Sequence, residues 1–239
     1  MDRKKDSEIL AKRALQVQRG AARASVLGVN DGLVSTLCIV LAVAGAGATS
    51  GNVLLAGFAG LIAGAVSMAA GEWISVKAQV ELFEGVIKDI RKLASTDREL
   101  LVEQVATSLS QTGHSESTAH TAAHEIAKDD SHLIDVYARQ VMGFNPDELG
   151  SPWLATGSSF ALFTLGALAP LSPWIFSGGT VAVILSIVLT GIGGLVVGGY
   201  ISSSSGNSVA KGALRQLGII ILASAVTYGI GYIFGVSVG

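Results

Sequence analysis

Five long apolar runs, at roughly residues 26–49, 53–76, 153–175, 179–203 and 213–237, constrain this chain more than any other feature. About 20 apolar residues in helical form cross the hydrocarbon of a bilayer, and every run is long enough. With no water in that layer, each backbone N–H and C=O must be satisfied within its own segment, so all five runs are expected to be helices. Composition agrees: half of the 239 residues are hydrophobic and 14% are charged, against roughly a quarter charged in an average soluble domain. The expected fold is an all-α membrane protein with five transmembrane helices per subunit.

Charge placement supplies the topology. Seven of the sixteen Lys and Arg lie in residues 3–23 and seven in 77–139, while Lys211 and Arg215 sit between the fourth and fifth runs. The short links at 49–52 and 176–179 carry none. An odd number of spans puts every basic segment on one side, which the bias of Lys and Arg assigns to the cytosol. This predicts a cytosolic N-terminal segment over 1–25, two spans over 26–76, a small cytosolic helical domain over 77–150, and three spans over 151–239, with Gly239 on the far side. The N-terminus is basic and polar, without a signal-peptide pattern. The single cysteine, Cys38, lies in an apolar run and excludes an intrachain disulfide.

Within 77–150, Val80, Phe83, Ile87 and Ile90, then Leu100, Leu101, Val105 and Leu109, recur at helical spacing. Breaks are expected at Ser95-Thr96-Asp97, with Ser or Thr as the cap, and at Gln111-Thr112-Gly113. The first helix should continue from the second span without interruption, and a third and fourth helix should cover about 115–142. The polar turn Thr49–Asn52 should make the first two spans a hairpin. Pro170 and Pro173 should kink or stop the third, where Trp174 suits the far interface, while Trp73 and Trp153 suit the near one. Gly57, Gly60 and Gly64, and Gly191, Gly194 and Gly198, are read as close-packing positions. Their GxGxxG-like spacing lacks a preceding strand, which excludes a nucleotide fingerprint.

Between Ala24 and Val76 the only charges are Asp31 and Glu72. A carboxylate in hydrocarbon costs about 3 kcal/mol on insertion scales, so it is retained where it meets a partner, an ion or water. By helix rise, Asp31 lies about 12 Å inside Arg23 and Met68 about 14 Å inside Lys77 on the returning helix. Glu72 shares the face of Met68 one turn nearer the cytosol. Two carboxylates and a thioether suit a borderline divalent ion such as ferrous iron or manganese, and carboxylates also take up protons. Glu116, His120 and His124 recur every four residues and offer a second ligand set on one helix face. No nucleophile and base stand together, so no enzyme is expected, nor a nucleic-acid partner.

The runs GVNDGLVST, AGFAGLIAGAVSMAAGEWISVKAQ, GALAPLSP and SVAKGALRQLGIIILASAVTYGIG, in this order, resemble the vacuolar iron transporter family from about Arg19 onward. The resemblance implies a homodimer of five-span subunits that moves ferrous iron, often manganese, out of the cytosol in exchange for protons, with no permanently bound cofactor. It implies a path at the dimer interface lined by Asp31 and Met68, with Glu72 at the cytosolic approach. The membrane would be the plasma (inner) membrane in a prokaryote or the vacuolar membrane in a eukaryote. Family members with the cytosolic domain carry many metal-binding glutamates there; Glu81 and Glu84 match, but Lys88 and Lys92 follow where acids are expected. Pairing of Glu84 with Lys88 four residues on would make this a solvated charged face. A same-fold carrier for another divalent metal, and a non-transporting metal sensor or scaffold, are the rival functions.

Overall fold

A computed structural model describes residues 20–145 and 150–238. Most of the expected N-terminal segment, and Gly239, lie outside the described residues. Described residues are helical or turn, with no strand among them. In chain order the helices are α1 (Gly20–Gly45), α2 (Ser50–Thr96), α3 (Arg98–Gln111), α4 (Glu116–Ile126), α5 (Asp130–Gln140), α6 (Pro152–Leu171), α7 (Pro173–Phe176), α8 (Gly179–Ser204) and α9 (Val209–Val238). Five of them, α1, α2, α6, α8 and α9, are long and apolar enough to cross a membrane. The all-helical, five-span expectation therefore holds. The chain divides into two compact units: one contains α1, α2 as far as Trp73, and everything from Pro152; the other is Ile74–Ser151.

In the first unit α1 is the central element, in contact with α6, α8 and α9. Glycines make the contacts close. A Cβ at Gly32 would stand 2.1 Å from the Phe163 carbonyl oxygen, one at Gly166 2.2 Å from that of Val29, and one at Gly231 2.0 Å from that of Ala42. Only residues without side chains allow such backbone approach. On α2 the glycines work differently, as sockets for side chains: Gly57 receives Leu171, Gly60 receives Ile39 and Gly64 receives the ring of Phe163. Leu37, Val40, Leu41, Val53, Ala65 and Leu171 fill the core between.

The third span ends at Leu171 with Pro170 inside its last turn. Pro173 has no N–H for the Ala169 carbonyl, and the Ser172 hydroxyl donates to it instead at 3.2 Å. Trp174 departs from expectation. It is 4% exposed, and its indole N–H donates to the Ser186 hydroxyl at 3.0 Å, which donates in turn to the Pro170 carbonyl at 2.7 Å. The span stops short of 175 and the chain continues as α7, with the indole hydrogen-bonded to α8 rather than left at an interface.

The second unit packs the last part of α2 with α3, α4 and α5 around Ile90, Leu101, Val105, Ala123, Leu133 and Tyr137. Here the cap of α3 is Asp97, whose carboxylate accepts from the Leu100 N–H at 3.3 Å, rather than Ser95 or Thr96. Both of those hydroxyls instead donate backward to the Lys92 carbonyl, at 2.7 and 3.1 Å. That use terminates α2 and leaves the next oxygen, on Asp97, to open α3. Gly113, with φ +101°, follows the Thr112 cap at the end of α3, and Ser115 and Asp129 cap α4 and α5.

Candidate functional site

The environment of Asp31 is set by what grips α1 on its other sides. Gly28 and Gly32 seat against α6, where a Cβ would lie 3.3 Å from Leu162 Cβ and 2.1 Å from the Phe163 carbonyl oxygen. Leu33 enters the notch of Gly193 on α8. Asn30 accepts a hydrogen bond from the side-chain amide of Gln216 on α9. Asp31 takes the remaining direction: it is exposed on the surface of the unit and, among the described residues, has no ion-pair partner. Its carbonyl receives the Ser35 hydroxyl, and among the described residues no side chain forms an ion pair with its carboxylate.

Met68 lies partly buried against the core of the same unit, and Glu72 one turn further along α2 is also partly buried. Phe163 relates the two motifs. Its carbonyl faces Gly32, the neighbour of Asp31, while its ring fills the socket at Gly64, one turn before Met68. Asp31 and Met68 thus sit within a turn of positions that share one residue. Trp73, next to Glu72, lies against Trp153 with ring centroids 6.0 Å apart.

In the second unit the acidic positions are dispersed. Glu81 pairs with Lys77 at 3.2 Å, whereas Glu84 and Lys88 are both exposed and form no ion pair among the described residues. The expected Glu84–Lys88 pairing is absent: the two side chains stay apart and exposed, at a site where pairing of long exposed side chains gains little against their entropy. His120 leans toward α3, with Nδ1 3.7 Å from the carboxylate of Glu103, while Glu116 and His124 of the same helix are exposed. Among the described residues no three His, Cys, Asp or Glu side chains converge as a metal-ion group within the subunit. The Asp129 carboxyl is held below the usual carboxylate range by the Ser131 hydroxyl first, then by the N–H groups of His132 and Ser131.

Asn30 and Gln216 carried no role in the sequence. Gln216 follows Arg215 at the start of an apolar run and looks like a helix-end polar residue; 186 positions separate it from Asn30. Trp174 and Ser186 were hidden for the same reason, since nothing local marks a pair that forms between helices.

The fold and this arrangement define a five-span helical membrane protein whose one charge on α1, among its described side chains, is exposed on the surface of the first unit. Residues 22–232 match the model of the VIT family, and the chain belongs to that family. It is 32% identical over 219 residues to vacuolar iron transporter homolog 1 of Oryza sativa subsp. japonica, covering 89% of this chain and 73% of that protein. It is 33% identical over 217 residues to vacuolar iron transporter homolog 3 of Arabidopsis thaliana, covering 89% and 82%. With the vacuolar iron transporter of Acanthamoeba castellanii it shares 30% identity over 220 residues, covering 90% and 78%.

Proposed function

We propose that this protein carries a divalent metal ion, ferrous iron or manganese, out of the cytosol in exchange for protons, along a path between two copies of the chain. The observation that carries this is Asp31, exposed on a membrane helix and without an ion-pair partner among the described residues. Facing lipid, it would cost about 3 kcal/mol. Facing the same residue of a second copy across a two-fold axis, it contributes to a pair of carboxylates that repel unless a cation or a proton sits between them. Such a pair takes up either a divalent ion or protons, which is the requirement of an antiporter. Support for metal as cargo comes from the family and from the names of the relatives, and Met68 adds a soft ligand suited to iron or manganese.

Further support for a second copy comes from α2, whose Leu55, Ile62 and Val66 are 71%, 54% and 54% exposed and fall on one side of the helix. Glu72, a turn beyond Met68, serves the cytosolic approach, with residues 77–150 in the cytosol. Glu81 and Glu84, beside Lys88 and Lys92, attract metal weakly, and Glu116, His120 and His124, which do not converge in the described residues, contribute no ligand set of their own. Purified protein in liposomes, given ferrous iron, manganese, zinc or cobalt under an imposed pH gradient, tests the function. Metal entry that alkalinises the lumen in step with flux is expected, since each entering ion is exchanged for departing protons. Binding without flux would instead identify a sensor, and flux of zinc or cobalt in preference to iron a carrier of other specificity.

A further inference from the structure

Among the buried polar side chains of the first unit, Ser186 and Ser224 donate to backbone carbonyls, but Gln216 reaches the side chain of another helix. It is 7% exposed and its amide N–H₂ donates to the Asn30 side-chain oxygen. The way in is cut from α8. A Cβ at Gly198 would stand 2.8 Å from Gln216 Cβ, and one at Gly194 3.3 Å from Gln216 Cγ, so these two glycines form the trough in which the Gln216 stem lies.

Consecutive residues on a helix point about 100° apart, so the direction of Asn30 determines that of Asp31. We propose, on the basis of the transport function above, that the Asn30–Gln216 amide pair is a positioning device: it fixes the rotation of α1 against α9 and thereby aims the Asp31 carboxylate out of the subunit toward the ion path. Gly28 and Gly32 close the opposite side but present only backbone, which resists approach and tolerates sliding. The amide pair supplies the directional contact. Neither amide touches the ion; both act through Asp31.

The test uses the full chain in a Cys38→Ala background. Gln216→Met keeps the length and volume of the side chain and removes the amide. Because single interhelical hydrogen bonds in membranes contribute little, its melting temperature should fall by no more than about 3 °C. Its half-saturating concentration for ferrous iron in proteoliposomes, with ascorbate to keep the iron reduced, should rise roughly tenfold, the usual scale for loss of a group that orients a ligand. Maximal flux should change far less. Asn30→Gln and Gln216→Asn should each show the defect, and the double exchange, which restores the combined length of the pair, should repair it. The thiol introduced by Asp31→Cys should react with a small maleimide several-fold more slowly when Gln216→Met is added. Unchanged half-saturation in a folded Gln216→Met protein overturns the positioning role, as does a defect that the exchange fails to repair. Should Gln216→Met not fold, the single and double exchanges decide. If Asp31→Asn transports normally, the transport path itself is misassigned; the labelling rate of the Asp31→Cys variant then judges the amide pair independently, and no change on adding Gln216→Met refutes it.

Discussion

Asp31 is a residue whose cost and use separate cleanly. Asp31→Asn removes an intramembrane charge worth about 3 kcal/mol of insertion free energy while keeping the shape of the side chain. Folding should be unharmed or improved, yet metal flux should collapse, because the amide neither compensates a divalent cation nor exchanges a proton. Thermal stability in detergent and initial flux, measured on the same preparations, check this; a destabilised variant that transports normally would make the carboxylate structural. Met68→Leu, of similar volume, should fold normally and shift the preference between iron and manganese by deleting the soft ligand. A competition assay between the two ions reads that shift. Outside the membrane spans, Asp129 offers a pH-dependent case. Its carboxyl is held low by Ser131 and His132, so the bonds stabilise the start of α5 above the ordinary carboxylate pKa of about 4. They are lost as pH falls through the lower folded value. Protection factors of the Ser131 and His132 amides, corrected for the pH dependence of intrinsic exchange, should fall in that acid window, and Asp129→Asn should flatten the dependence.

At the scale of elements, the glycines divide into those that permit an interface and those that merely weaken a helix. Gly32 and Gly231 bring α1 against α6 and α9 with no room for a Cβ before backbone oxygen, whereas Gly85 on α2 has nothing within 4 Å. Gly32→Ala and Gly231→Ala should each separate a helix pair and destabilise by about 2 kcal/mol or more, the scale of overpacking in a close-packed interior. Gly85→Ala should stabilise by about 0.5–1 kcal/mol through helix propensity alone. Melting curves of the three variants give the comparison. Each is a single glycine within a helix; what lies opposite distinguishes them.

For the whole molecule, two predictions concern orientation and assembly. In a Cys38→Ala background, single cysteines at Ser115 and Asn52 should be labelled by an impermeant maleimide from opposite sides of the membrane, since the Lys and Arg bias places 77–150 in the cytosol and leaves the 49–52 link outside it. Labelling of both from one side would break the five-span topology. A single cysteine at Val66, half exposed on the face of α2, should form a disulfide-linked dimer on oxidation if the two-fold axis runs beside Asp31 and Met68 as proposed, because equivalent positions of two copies meet only next to that axis; one at Phe176, 88% exposed at the end of α7, should not. What the sequence determined by itself follows from short-range physics. Spans were legible because hydrocarbon demands a run of about 20 apolar residues, and Asp31 was legible because a charge inside such a run has no cheap explanation. The unbroken passage of α2 from Ser50 to Thr96 could be read from the absence of a breaker. The tertiary structure alone decided which way the helices turn. It buried Trp174 against Ser186, gave the α3 cap to Asp97, left Glu84 and Lys88 apart, joined Asn30 to Gln216, and faced Asp31 outward. The places of Trp174, Asn30 and Asp31 depend on which atoms lie opposite across a helix interface, and periodicity along one segment contains no information about its neighbour; the Asp97 cap and the separation of Glu84 from Lys88 are local choices among competing hydrogen bonds and rotamers.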